Sequence, residues 1–236
     1  MTDLDALKEE VFRANTELVR LGLVTGTWGN ASAVDRSRGI VVIKPSGVDY
    51  ASMAPGDMAV VDLDGREVGP GLRPSSDTAT HLELYRAFEG IGGVVHTHSP
   101  YATMFAQASR EIPCLGTTHA DHFRGAVPVT RFLSEEEVRG EYERETGRLI
   151  VERFRGLDPL ATPGVLVAGH APFAWGAHAA AAVENSLVLE RVAQLALGTL
   201  GLDPGIGALP EYIQEKHYRR KHGPDAYYGQ GKTPPS

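Results

Sequence analysis

One cysteine, Cys114, is all that 236 residues contain. That excludes an internal disulfide framework and fits a reducing compartment. Long apolar runs are missing too: nothing approaches the ~18 consecutive apolar residues of a membrane span. The opening stretch MTDLDALKEE carries acids where a secretion signal has a positive and then an apolar region, so a cytoplasmic protein is expected. Positive charge is scarce, 23 Lys and Arg against 30 Asp and Glu, and the resulting −7 speaks against general nucleic-acid binding and for solubility. Internal repeats and long linkers are absent, and with 42% hydrophobic residues the chain can bury one sizeable core. One domain over residues 1–230 is expected, followed by a Gly/Pro-rich tail, residues 231–236, that reads as disordered. Cys114 itself reads as a buried small residue.

Periodicity supplies the elements. Leu4, Leu7, Val11, Leu18 and Leu21 fall near helical spacing, and Gly22 reads as the stop. TWGNASAV, GIVVIKPSG and AVVDLDGREV read as strands, the last turning at Asp64-Gly65. SSDTATHLELYRAF reads as a helix entered through a Ser or Asp cap. A strand ending at His98, a helix PYATMFAQAS, helix over 134–154, a strand GVLVAGH, a long Ala/Leu-rich helix over 177–200 and a last helix in EYIQEKHYRRKHG complete the pass. Strands interspersed with helices imply an α/β layered domain, with strand order and direction left open.

The chemistry starts in GGVVHTHSPYAT. In a strand His96 and His98 share a face while Thr97 points away. His170 ends a second strand-like run, GVLVAGH, and strand ends are where layered folds place ligand-binding groups. A lone strand-end histidine is by default a cap or a partner of a backbone carbonyl. An H-x-H pair plus a third strand-end histidine instead gives a three-nitrogen set suited to a catalytic Zn²⁺ with one position open, Mn²⁺ or Co²⁺ being alternatives. Asp77, in PSSDTAT, is a fourth ligand or a support for the others.

Three segments, WGNAS (28–32), KPSG (44–47) and PSSDT (74–78), combine small residues, hydroxyls and free amides. Gly29 and Gly47 permit close backbone approach, Ser75 and Ser76 precede a helix N-terminus, and Lys44 adds charge. Singly these are ordinary turns; together they point to a phosphate monoester. Walker and dinucleotide motifs are absent, so no nucleotide is indicated. The basic run KHYRRKHG is either a solvated helix face or part of an anion clamp.

TWGNAS, IKPSGVDY, RPSSDTATH, VHTHS, GTTHADHF, GEYERETG, GHAPFAWG and KHYRRKHGPDAYYGQ, in this order from about residue 4 to 230, resemble the L-ribulose-5-phosphate 4-epimerase family of the class II aldolase/epimerase superfamily. Departures are local: AGH at 168–170, Arg144, and the tail after Gln230. The resemblance implies a three-layer α/β/α fold with a mixed, largely antiparallel sheet, and a fourfold homotetramer with active sites at subunit interfaces. It implies zinc ligands at Asp77, His96, His98 and His170, and substrate contacts at Gly29, Asn30, Lys44, Ser46, Gly47, Ser75 and Ser76. It further implies an acid/base pair of Asp121 and Tyr228, the latter from a neighbouring subunit, with His217 and Arg220 also reaching into that neighbour's site. The implied reaction interconverts L-ribulose 5-phosphate and D-xylulose 5-phosphate, in arabinose breakdown or a related pentose route, with no nucleic-acid or membrane partner.

Carbon 4 of such a substrate is not adjacent to the ketone, so its proton is not acidic and simple deprotonation fails. Cleaving the C3–C4 bond, turning the aldehyde and re-forming the bond inverts C4, which requires charge stabilisation, a firm phosphate site and a proton-transfer group on each aldehyde face. Residue by residue, Asp121 alone reads as a turn cap, Tyr228 as part of a frayed tail, and His119 and His122 as supporting groups. The rivals are a fuculose-phosphate-type aldolase, which resembles this chain less in carrying a glutamate at the position of Asp77, and a non-catalytic metal-binding scaffold.

Overall fold

The computed structural model describes residues 3–223 and 226–229; the expected tail, 231–236, lies outside them. The first helix, α1 (Asp3–Arg20), places Leu4, Leu7, Val11, Ala14 and Leu18 on one stripe, and that stripe packs onto a six-stranded sheet. The strands are β1 (Asn30–Asp35), β2 (Ile40–Ile43), β3 (Ala59–Asp62), β4 (Gly93–His96), β5 (Gly164–Leu166) and β6 (Pro172–Gly176), in the order β3-β2-β1-β4-β6-β5. Every ladder is antiparallel, and the one parallel element among the described residues is an isolated bridge, Val129 to Leu166, beside β5.

Side-chain alternation divides the core into two faces. Ala31, Ala33, Ile40, Val42, Val60 and Val95 face α1 and the long helix α7 (Ala179–Leu202). Val41, Val61, Val94, Phe173 and Trp175 face α2 (Thr78–Ala87) and α6 (Tyr142–Arg153). These are the three layers. The turn at Asp64-Gly65 forms as expected, Gly65 taking a φ of +88°, with a single bridge from Val61 to Glu67. The remaining helices are α3 (Pro100–Gln107), α4 (Thr117–Ala120), α5 (Glu135–Arg139) and α8 (Glu211–Lys221).

Three expectations need correction. The helix over 134–154 is two helices, α5 and α6, parted at Gly140-Glu141; Ser134 caps α5 with Glu137 in a reciprocal box, and the charge-rich segment has no apolar stripe to carry one axis through. The strand expected to end at His98 ends at His96, because Ser99-Pro100 begins α3. GVLVAGHAPFAWG is not one strand with a terminal histidine but the hairpin of β5 and β6: β5 stops at Leu166, Gly169 takes a φ of +72°, and His170 sits in the turn. Cys114 is buried, as expected.

One buried polar contact fixes the functional end of the sheet. Asn15 of α1 donates to the carbonyl of Ala31 at 3.0 Å and accepts from its amide at 2.8 Å, replacing a strand neighbour where β2 no longer reaches. Asn30 is thereby held opposite His96.

Candidate metal centre and substrate cleft

His96 terminates β4, His98 follows in the loop, and His170 enters from the β5–β6 turn. Their ligating nitrogens all lie within 4.8 Å of one another. The Nδ1 of His96 is 3.0 Å from the carbonyl of Pro172, which can only accept, so His96 carries its proton there and Nε2 presents a lone pair. That lone pair lies 3.1 Å from Nε2 of His98. Two nitrogens sharing a tetrahedral ion at about 2.0–2.1 Å lie roughly 3.3 Å apart, so the spacing fits a shared cation. Nδ1 of His170 is buried with no hydrogen-bond partner, so no protein acceptor fixes the tautomer of this ring and either nitrogen is free to present a lone pair to an ion. Burial, with the His96 and His98 imidazoles adding to it, pushes His170 down to about 4, and burial also lowers His98. Imidazoles of this kind are neutral at physiological pH, the form a metal requires.

Asp77, at the N-cap of α2, makes no capping hydrogen bond. Its carboxylate instead accepts from Asn30 Nδ2 at 2.6 Å, and the same amide reaches Ser75 Oγ at 3.1 Å. Burial raises the Asp77 carboxyl, but the His96 and His81 imidazoles and the Asn30 hydrogen bond together outweigh it and leave it below its ordinary value. The tight cluster is the histidine triad; Asp77 stands beside it.

Every residue expected from the three loop segments lines the same cleft: Gly29, Asn30, Lys44, Ser46, Gly47, Ser75 and Ser76 surround the triad and Asp77. Gly29 has a φ of +88°, and a Cβ there would come within 2.8 Å of the His96 carbonyl, so no side chain fits. Lys44 is buried, donates to the carbonyl of Val48 at 2.7 Å and lies over the Tyr50 ring; burial lowers its pKa. Tyr50 in turn donates to the Gly29 carbonyl at 2.8 Å. Thr27, Trp28 and Pro45 also line the cleft. Trp28 is 61% exposed, its ring 6.3 Å from that of His98, and an exposed tryptophan beside a glycine turn was a signal the sequence held.

The remaining expected residues form a second cluster that does not line this cleft. Asp121, at the end of α4, accepts from Arg220 through both carboxylate oxygens and lies 3.1 Å from His217 Nδ1. Burial raises its carboxyl, and the hydrogen bonds from Arg220 and His217 overcome that and hold it low. Tyr228 is exposed, with Arg220 and Lys221 over its ring at 5.1 and 4.6 Å. His119 and His122, beside Asp121, do not reach the triad: His119 donates to the Gly125 carbonyl at 2.7 Å, and His122 meets Lys221.

The model of the Class II Aldolase and Adducin N-terminal domain matches residues 9–197. L-ribulose-5-phosphate 4-epimerase UlaF of Salmonella paratyphi C is 57% identical over 227 residues, 96% of this chain and 100% of that one. Among solved structures, an L-fuculose 1-phosphate aldolase superposes with a TM-score of 0.76 at 24% identity, over 92% of this chain and 95% of that one. YgbL from Escherichia coli, a putative aldolase/epimerase/decarboxylase by its description, gives 0.72 at 26% identity, over 91% and 99%. The chain belongs to the class II aldolase family and, within it, to the L-ribulose-5-phosphate 4-epimerases.

Proposed function

We propose that this protein interconverts L-ribulose 5-phosphate and D-xylulose 5-phosphate by retro-aldol cleavage, rotation of the aldehyde and re-addition. The observation that carries the reading is the convergence of a three-histidine set with three hydroxyl- and amide-rich loops in one cleft. Its context is a chain 57% identical to an epimerase over nearly its whole length.

His96, His98 and His170, with Asp77, would hold a divalent cation, Zn²⁺ by ligand type, Mn²⁺ or Co²⁺ being the alternatives. Bound there, the cation supplies Lewis-acid stabilisation of the charge that bond cleavage leaves on the three-carbon fragment. The rest falls to the chain. As the C3–C4 bond breaks, its electron pair stays with the ketone-bearing fragment and the C4 hydroxyl proton passes to a base. Ser46, Gly47, Ser75 and Ser76, with Lys44 behind them, retain the phosphate while the aldehyde turns. Re-addition on the other face takes a proton from an acid on the opposite side. Asp121 and Tyr228 are assigned these two roles, in the cleft of a neighbouring copy within a homotetramer. Two observations support a neighbour: the Asp121 cluster does not line its own chain's cleft, and α7 ends in exposed apolar residues, Leu195 at 58% and Leu202 at 91%.

The test is a coupled assay of metal-loaded protein on L-ribulose 5-phosphate, scoring D-xylulose 5-phosphate against free two- and three-carbon fragments. Xylulose 5-phosphate, lost in His98→Asn and Tyr228→Phe but kept in Tyr227→Phe, supports the epimerase. Free fragments with Tyr228→Phe still active would make the protein an aldolase. Mass in solution and metal content of the isolated protein test the tetramer and the zinc.

A further inference from the structure

The chain has two tryptophans, and their surroundings are opposite. Trp175, on β6, is fully buried: Nε1 donates to the Pro159 carbonyl at 2.8 Å, and the ring packs on Phe88 and Phe154 with centroids 5.2 and 5.0 Å away. Trp28 is 61% exposed and lines the cleft together with His98, Lys44, Ser46 and Ser75. Its ring centroid stands 6.3 Å from that of His98, tilted by 53°. Leaving most of an indole in water forgoes much of the stabilisation its burial would give, so packing within this chain does not explain the placement.

The backbone under Trp28 is fixed. Its amide donates to the Thr25 carbonyl at 3.1 Å, closing a turn. Gly29, next in the chain, lies so near β4 that a Cβ would come within 2.8 Å of the His96 carbonyl, and its own carbonyl accepts from Tyr50 at 2.8 Å. One residue further, Asn30 is in register with His96 and bonded to Asp77. An exposed apolar ring is thus mounted on the same held stretch that frames the histidines.

The proposed reaction has a step that such a ring suits. Cleaving C3–C4 of the pentulose phosphate leaves the electron pair on the three-carbon fragment and frees glycolaldehyde phosphate, whose phosphate the serine loops retain. The aldehyde end is uncharged and must turn over. A hydrogen-bonding wall would hold one face of it, whereas apolar contact is non-directional and lets it turn. Water entering at that moment would protonate C3 of the three-carbon fragment, with the C4 hydroxyl proton returned to solvent. Dihydroxyacetone and glycolaldehyde phosphate would then leave, together accounting for every atom of the substrate.

We propose that Trp28 is the wall that retains the aldehyde: its indole covers the cleft beside His98, keeps water out while the two-carbon fragment turns, and so decides between re-forming the bond and losing the fragments. The inference rests on the epimerase reading and assigns to one side chain the choice between epimerisation and cleavage.

Metal-loaded wild type, Trp28→Ala and Trp28→Phe are compared on L-ribulose 5-phosphate, measuring free dihydroxyacetone per D-xylulose 5-phosphate formed. Trp28→Ala is expected to raise that ratio roughly tenfold, the worth of one lost aromatic contact, and Trp28→Phe to stay within about threefold of wild type. Tm and mass in solution should hold in both, because the side chain is largely in water. Acrylamide quenching gives a readout apart from turnover. Trp175 is buried, so quenchable emission reports Trp28, and saturating wild type with the equilibrated pentulose phosphates should shield it. An unmoved ratio in Trp28→Ala, quenching indifferent to substrate, or a changed solution mass that makes the indole a contact between copies overturns the role of Trp28. Wild type that releases fragments in place of xylulose 5-phosphate sinks the epimerase reading and this inference with it. Xylulose 5-phosphate from wild type with an unmoved ratio in Trp28→Ala sinks this one alone.

Discussion

The triad cleft and the Asp121 cluster are built by different means. In the cleft each group hangs on regular structure: His96 on β4, Asn30 on the facing strand, Asp77 at the start of α2, His170 in a hairpin turn. The Pro172 carbonyl fixes His96, and the Asn30 amide fixes Asp77. Around Asp121 the partners come from α8, a helix with no buried residue, and contact runs through charge and ring faces. The family match follows this division: residues 9–197 contain the triad, the loops and Asp121, but stop before His217, Arg220 and Tyr228. On the proposed reading, the fold supplies the part that cleaves the bond, and the helix beyond the family match completes the part that moves protons.

Stripping the metal separates the two regions most sharply. Chelation, or His98→Asn, is expected to lower turnover by roughly three powers of ten, since a Lewis acid contributes several kcal/mol and each 1.36 kcal/mol is tenfold. Re-adding a divalent cation should restore the chelated protein and leave the variant inactive. Asp121→Asn should cost less, about 10²-fold, the lower end for a lost proton-transfer group. It should leave metal content unchanged, because neither Arg220 nor His217 lines the cleft. Metal loss in Asp121→Asn would mean that the regions are coupled and the division is wrong.

That division also sets what could be read in advance. Helical and strand periodicity gave the layers, because Leu4, Leu7, Val11 and Leu18 and the alternating strands bury by pattern. The triad was legible because H-x-H on a strand end has few other uses. The Asn30–Asp77 bond was not: Asp77 is a competent cap, and only the register of β1 against β4 brings Asn30 within reach of it. The turn holding His170 was misplaced because VLVAGHAPFAW is apolar on both sides of Gly169, and a run buried throughout hides its own reversal. The partners of Asp121 were hidden for another reason. Ion pairs spanning about a hundred positions leave no periodic trace, and only the family resemblance joined them.

Acid should act on the regions in different windows. His170 and His119 are held at about 4 and His81 at about 3, all chiefly by burial, against 6.5 when free. Unfolded chains therefore take up protons that the folded metal-free protein refuses, and stability falls as pH drops from 6.5 to about 4, by about 1.4 kcal/mol per pH unit for each histidine. Asp121 has the opposite chemistry. Its lowered carboxyl contributes stability above 3.8, lost only as pH falls further. Thermal unfolding of metal-free protein between pH 7 and 4 should show the histidine slope, and His119→Leu should flatten it by up to about 1.4 kcal/mol per pH unit. A slope unchanged in His119→Leu would mean that His119 protonates in place.

The smallest effect is expected where α8 meets the body through its outer face. Arg124 lies 3.3 Å from Glu215, but its side chain is 60% exposed. Solvent screens such a pair, and holding two long side chains costs entropy, so Arg124→Ala should change stability by less than about 1 kcal/mol. Turnover should stay within about twofold, since the carboxylate that α8 grips, Asp121, keeps Arg220 and His217. Arg220→Ala removes a pair to a carboxylate that is largely out of water, and should loosen α8 measurably in amide exchange. If Arg124→Ala instead released the helix while Arg220→Ala left it docked, α8 would be held by its surface rather than through Asp121. The second cluster would then depend on the helix only for proximity, not for its charge.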